Sequence, residues 1–187
     1  MKTQLLLAAL TIIISLSTFA QGRSFGGFKS GNLEIEPVVG YERVQKILPT
    51  PHTSSRLFYG LRANYGPKYL SLEAEVTQAK EDESFDTGVD ISDDSTNYML
   101  GLRSSFNLGR ALNWYLRAGA HARDSKYERT EAGVTTTVEP ATYVNPYAGT
   151  GLAINLMNVF TLNAGMNVIF TDDEHEYQSS LGFGIRI

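Results

Sequence analysis

Three groups of residues in this 187-residue chain are of types that can do chemistry. The first is ionic: Glu34, Glu36, Arg62, Glu73, Glu75, Arg103, Arg117 and Arg186 stand among apolar residues, at one parity within each run. Confined together, carboxylates and guanidiniums pair, because an isolated buried ion costs several kcal/mol. Planar guanidinium makes such pairs through parallel hydrogen bonds, which lysine cannot do. The second group is acidic: Glu81, Asp82, Glu83, Asp86, Asp90, Asp93 and Asp94, and a smaller knot of Asp172, Asp173, Glu174 and Glu176. Carboxylates at that density suit calcium, yet residues 86–94 do not follow the ligand order of a calcium loop, so solvated loops are expected. The third is the three histidines, His52, His121 and His175, whose spacing forces no convergence. No metal or cofactor site is therefore expected. Neither a Gly-x-Ser-x-Gly elbow nor a phosphate-binding glycine loop occurs, so no catalytic site is assigned.

The elements that would position these groups begin after an export leader. Lys2, the apolar stretch from Leu5 to Leu16 and the small-residue end at Thr18-Phe19-Ala20 read as a cleaved signal peptide over residues 1–20. Its apolar stretch is shorter than the ~20 residues of a transmembrane helix. Residues 21–32, rich in Gly and Ser and without a period, read as a flexible lead-in. One domain over 33–187 accounts for the rest. There is no cysteine for a disulfide or a lipid anchor, and the net charge of −4 excludes a basic nucleic-acid footprint.

Within 33–187 the sequence alternates apolar with polar or small residues in eight runs, near 33–44, 56–66, 69–79, 96–108, 114–126, 143–156, 160–170 and 177–187. Three connections are short: 67–68 with its flanking Gly66, 109–113 and 157–159. Four are longer or more polar, at 45–55, 80–95, 127–142 and 171–176. Short and long alternate, so all short turns fall at one end. This predicts an all-β, eight-stranded, antiparallel up-and-down transmembrane barrel with its long loops outside the cell.

Splitting each run by parity gives one face without a charge, including Leu61, Leu102 and Leu162, and another with the ionic residues, asparagines and every strand-interior glycine. A soluble lipocalin-like carrier would turn the apolar face inward around a ligand. The aromatic residues favour the opposite assignment. Tyr65, Phe106, Trp114 and Phe160 gather at the short-turn ends of the apolar face, and Tyr41, Tyr59, Tyr98, Phe170 and Tyr177 at the loop ends, as two interfacial girdles would. No lysine is expected inside a strand except Lys126 at an end, and glycines make room for large residues in a narrow interior. The apolar face is thus expected to meet lipid. Pro37 and Pro146 each remove a ladder hydrogen bond, which calls for a bulge, a strand end or a shifted register.

This arrangement resembles the small OmpA/OmpX-type outer-membrane barrels of Gram-negative bacteria, over the barrel domain alone. The resemblance implies an outer-membrane location, contact with lipid and lipopolysaccharide, and a monomer. That family's usual terminal Phe or Trp is replaced by Ile187, with Leu181, Phe183 and Ile185 keeping the alternation. The function expected is non-enzymatic: structural, or surface interaction through the acidic loops, with Arg62, Arg103, Arg117 and Arg186 bridging Glu34, Glu36, Glu73 and Glu75 to plug the lumen. A narrow small-solute channel is the alternative. Asp93, Asp94, Asp172, Asp173 and His175 also resemble, in composition only, the carboxylate and histidine set of omptin surface proteases.

Overall fold

Alternating side chains make a ribbon with two unlike faces, and such a ribbon hides both its edges only by closing on itself. The computed structural model describes residues 32–46, 51–85, 88–156, 159–172 and 175–187, and shows that closure. Its strands are β1 (Asn32–Lys46), β2 (His52–Gly66), β3 (Ser71–Phe85), β4 (Val89–Asn107), β5 (Leu112–Glu131), β6 (Val134–Val138), β7 (Val144–Leu156), β8 (Phe160–Phe170) and β9 (His175–Arg186). Every pairing is antiparallel, and the ring runs β1-β2-β3-β4-β5-β7-β8-β9 and back to β1. The leader lies outside the described residues, as does all of the lead-in but Asn32, which already opens β1.

Eight strands close the barrel, and a ninth, β6, was not anticipated. It pairs only with the far end of β5, Tyr127↔Val138 to Glu131↔Val134. The segments expected as long loops at 80–95 and 127–142 are in large part strand. From the pairing Val76↔Tyr98↔Ala122, strands β3, β4 and β5 each continue for nine residues, ending at Phe85↔Val89↔Glu131. At ~3.3 Å per residue this sheet projects about 30 Å beyond Tyr98. Polar loop composition hid it, because the buried face of the extension mixes Val89 and Ile91 with Asp93 and Ser95 and so shows no clean apolar alternation. β1 and β2 likewise run on to Lys46↔His52, although β2 leaves β3 at Phe58↔Ala79.

The two faces divide as the parity requires. Leu61, Leu102 and Leu162 are 58 %, 51 % and 43 % exposed, whereas Glu36, Arg62, Glu73 and Arg117 are buried. The interior is less purely polar than the sequence suggested, since Val38, Phe58, Met99, Tyr115, Tyr147 and Ile169 also point inward. Lysine is not confined to strand ends either: Lys80 and Lys126 lie within β3 and β5.

Neither proline distorts the register. The β1–β9 ladder lapses between Ile35↔Ile185 and Val38↔Gly182, then resumes in the same register, so Pro37 sits in a gap and not in a bulge. Pro146 stands one residue before Tyr147↔Ile169, the end of the β7–β8 ladder, where no N–H is required. With the apolar face in lipid, Leu102→Arg in mid-strand costs about 2–4 kcal/mol in bilayers. Urea titration of the barrel in vesicles measures it, and a neutral effect would mean that Leu102 does not face acyl chains.

Candidate functional site

The register places opposite charges shoulder to shoulder. Glu36 in β1 stands opposite Arg62 in β2, which stands opposite Glu75 in β3. Arg62 donates to Glu36 Oε1 at 2.9 Å, to Glu75 Oε2 at 2.7 Å and to Ser180 Oγ at 3.3 Å. From β5, Arg117 Nη2 reaches across the lumen to Glu73 Oε1 at 2.6 Å and Glu75 Oε2 at 2.8 Å. Arg186 donates to Glu34 Oε2 at 3.1 Å near the short-turn end. Arg103, also named from sequence, makes only loose ion pairs. Its Nη1 lies 3.9 Å from both Glu36 and Glu73, and its hydrogen bond goes to Asn163 Oδ1 at 2.9 Å.

Arg103 and Arg117 face each other directly across β4 and β5, an arrangement that repulsion disfavours. Two tyrosines absorb it: the Arg103 guanidinium stacks 3.8 Å over the Tyr115 ring, and that of Arg117 lies 5.2 Å from Tyr147. Room for these large groups comes from glycine. A Cβ at Gly151 or Gly165 would run into Tyr115, and one at Gly182 into the Glu36 carboxylate.

A second cluster fills the loop end. Arg56 donates to Glu42 at 2.6 Å and Asp93 at 2.5 Å; Lys46 reaches Glu81 at 2.6 Å and Glu83 at 3.3 Å; Ser54 donates to Glu81 at 2.5 Å. His52 Nε2 lies 3.2 Å from Glu83, and Arg123 donates to Glu176 at 2.7 Å. Sequence reasoning passed over Lys46 and placed Glu81, Glu83, Asp93 and Glu176 in solvated loops because it ended the strands too early. The signal was there: Glu81 and Glu83 continue the parity of Glu73 and Glu75, and Lys46 that of Glu42. Since β2 has already left β3, these contacts strap the β1–β2 hairpin to the projecting sheet.

Burial pulls the Lys46 ammonium down, but the Glu81, Asp93 and Glu83 carboxylates more than offset it and hold it above its ordinary value. Burial pushes Glu83 up, and Lys46 and His52 outweigh that, leaving it below the usual range. Asp93 is raised, because burial exceeds the pull of Arg56 and Lys46. A depressed carboxylate stabilises above its unfolded value and is lost as pH falls through the folded one; a raised lysine stabilises below its unfolded value and is lost as pH rises through the folded one. Glu83 and Lys46 therefore favour the strap most between the carboxylate and lysine ranges, while the raised Asp93 works against it once ionised. Amide exchange at 44–46 and 52–55 should accelerate in acid below the carboxylate range and stay protected through neutral pH.

The aromatic residues named from sequence all lie on the outward face. Phe106 and Trp114 are directly opposed with ring centroids 5.6 Å apart, Phe160 stacks on Phe183 at 5.4 Å, and Tyr65 stands opposite Leu33. Tyr41, Tyr59, Tyr98, Phe170 and Tyr177 are exposed toward the other end. Asp93 and Asp94 point to opposite faces, with Asp94 opposite Lys80 and Lys126, so they do not act as a pair. Asp86, Asp173 and Glu174 lie outside the described residues. His121 bonds Asn97 at 3.1 Å, and His175 packs edge-on against Phe170. Among the described residues no group of three His, Cys, Asp or Glu is placed to hold a metal ion.

A closed ring of eight strands, apolar outside and ionic within, defines a transmembrane barrel of the outer-membrane class. The chain belongs to the outer membrane protein beta-barrel domain family, whose family model matches residues 6–186. It is an outer-membrane protein of the Gram-negative type. No curated protein matches it in sequence. Among solved structures it is similar to Ail, the attachment invasion locus protein of Yersinia pestis, at 18 % identity and TM-score 0.60, covering 84 % of this chain and 99 % of that one. It is also similar to the N-terminal barrel domain of Pseudomonas aeruginosa OprF (14 %, 0.57, 83 % and 97 %) and to OprG of the same organism (11 %, 0.56, 86 % and 98 %). At these identities the likeness is one of fold.

Arg62 offers the sharpest test of the network, being 1 % exposed with two carboxylate partners. Replacing it by Met leaves Glu36 buried with no cation nearer than Arg103 at 3.9 Å, and should cost about 3–5 kcal/mol. Arg186→Ala, at the part-exposed end, should cost about 1 kcal/mol or less. Urea midpoints read by gel migration without heating compare the two.

Proposed function

We propose that this protein is a non-enzymatic, monomeric outer-membrane barrel that serves as a structural and surface-interaction module. The projecting sheet carries this reading: β3, β4 and β5 extend about 30 Å beyond the outer aromatic residues, and β6 adds an edge whose far side pairs with no described strand. An edge of Val and Thr is the element by which sheets accept an extended partner segment, so contact through it would use backbone hydrogen bonds. Glu81, Asp82, Glu83, Asp90 and Asp94 give the neighbouring β3–β4 hairpin an acidic cast. That sign selects cationic or neutral partners. One solved form of Ail is a complex with the heparin analogue sucrose octasulfate; a polyanion of that kind does not match the acidic hairpin here. Arg43, Lys80 and Lys126 stand on the outer face above the aromatic level, where lipopolysaccharide phosphates would meet them.

The lumen argues against conduction. The Glu36–Arg62–Glu75 row and the Arg117–Glu73 pair are buried in its middle, alongside inward-facing Phe58, Met99, Tyr115, Tyr147 and Ile169. The commitment of Asp93 to Arg56 and Lys46 likewise leaves no free carboxylate pair there for omptin-like hydrolysis. Recording across planar bilayers separates a plug from a gate. A plug gives no current steps in the wild type, and Arg117→Ala lowers the unfolding midpoint without opening a current. Stable conductance steps that grow in Arg117→Ala would identify a charge-gated channel instead.

A further inference from the structure

The short-turn end of the lumen holds a cavity of about 150 Å³, enough for on the order of ten waters. Its lining includes Glu34, Asn64, Lys68, Arg103, Asn113 and Arg186. The ionic network does not use up the polar groups that face it. Asn64 is 7 % exposed, and neither its amide nitrogen nor its oxygen has a hydrogen-bond partner among the described residues. Arg103 Nη1 is also buried without a hydrogen bond, its nearest carboxylates, Glu36 and Glu73, standing 3.9 Å away. Buried donors left unpaired are uncommon in folded proteins and call for a partner.

The charges point to the sign of that partner. In this half of the barrel Glu34, Glu36, Glu73 and Glu75 face Arg62, Arg103, Arg117, Arg186 and Lys68, four carboxylates against five cations. Glu34 is engaged by Arg186, and the only hydrogen bonds that Lys68 makes with described side chains go to the neutral oxygens of Asn107 and Asn113. Burial, with Arg186 adding to it, pushes the Lys68 ammonium below its ordinary value. The chain's own lead-in cannot supply the missing charge, since residues 21–31 contain Arg23 and Lys29 and no acid.

We propose that this vestibule is a binding site for a small tetrahedral oxyanion of the phosphate type, held by Lys68 and Arg103 with the Asn64 amide as a neutral donor. Arg103 and Asn64 approach from the lumen wall, and Lys68 from the β2–β3 turn at the rim. A negative ligand balances the surplus cation and gives both unspent donors an acceptor. The oxyanion could arrive free in solution or carried on a phospholipid headgroup at the inner leaflet.

The test uses the mature full-length barrel refolded in maltoside micelles, which contain no phosphate, with the side-chain amide signals of Asn64 followed by NMR. Inorganic phosphate should shift them saturably, while chloride at matched ionic strength should not. Lys68→Gln should weaken that response at least tenfold, Lys68→Arg should restore most of it, and all variants should keep heat-modifiable migration. Asn64→Leu, which leaves the charges untouched, should weaken phosphate binding measured calorimetrically. If the shift is already present in phosphatidylglycerol bilayers and added phosphate changes nothing more, the same site takes its oxyanion from lipid. A non-saturating response, an equal response to chloride, or full binding by Lys68→Gln would overturn the proposal.

Discussion

A chain that crosses hydrocarbon has no water to satisfy its backbone, so every N–H and C=O must find a partner within the protein. Here that requirement is met by the one pairing that turns a sheet into a barrel, β1 against β9. With the ring closed, each strand has only an inside and an outside, and side chains alternate between them. The apolar parity can then face acyl chains, and the polar parity is enclosed. The ionic network follows from this enclosure, since charges shut away from water have to neutralise one another. The glycines follow in turn, because a narrow interior holds Arg, Glu and Tyr only where other positions yield space.

The same enclosure explains which parts could be read from sequence. Where a strand has one face in lipid and one in the lumen, its period is strong, and the residues of the barrel wall were assigned to the correct face. Glu36, Arg62 and Glu75 were grouped by parity alone, but the partner of each came only from the register. Arg103 shows the limit: its parity put it inside, within 3.9 Å of Glu36 and Glu73, yet its stacking on Tyr115 and its hydrogen bond to Asn163 could be read only from the structure. Beyond the membrane the outer face is polar and the buried face mixes Val89 and Ile91 with Lys46 and Asp93, so the period weakens, which is why the β3–β4–β5 extension, β6 and the Lys46 cluster went unread. Phe58, Met99 and Ile169 were missed for a related reason, as apolar residues break the polar parity of an otherwise ionic interior.

Two ends of one barrel thus come to differ in kind. At the loop end, ion pairs strap a hairpin to a sheet that projects well past the aromatic residues. At the short-turn end, the network stops short of pairing every donor and leaves a cavity with a surplus cation. Between them lie the buried Glu36–Arg62–Glu75 row and the Arg117–Glu73 pair. A scaffold of this sort can vary what it presents outside without disturbing what holds it together, which accounts for a fold shared at 11 to 18 % identity with Ail, OprF and OprG.

Sidedness can be measured directly, because the chain has no cysteine to confuse labelling. Single cysteines at consecutive positions 97 to 102 of β4, spin-labelled in lipid vesicles, report whether each site meets oxygen in the hydrocarbon or is shielded from it. Oxygen accessibility should alternate, high at positions 98, 100 and 102 and low at 97, 99 and 101. A flat profile, or the opposite alternation with the leucine positions reached by a water-soluble relaxant, would contradict an apolar exterior and an enclosed ionic core.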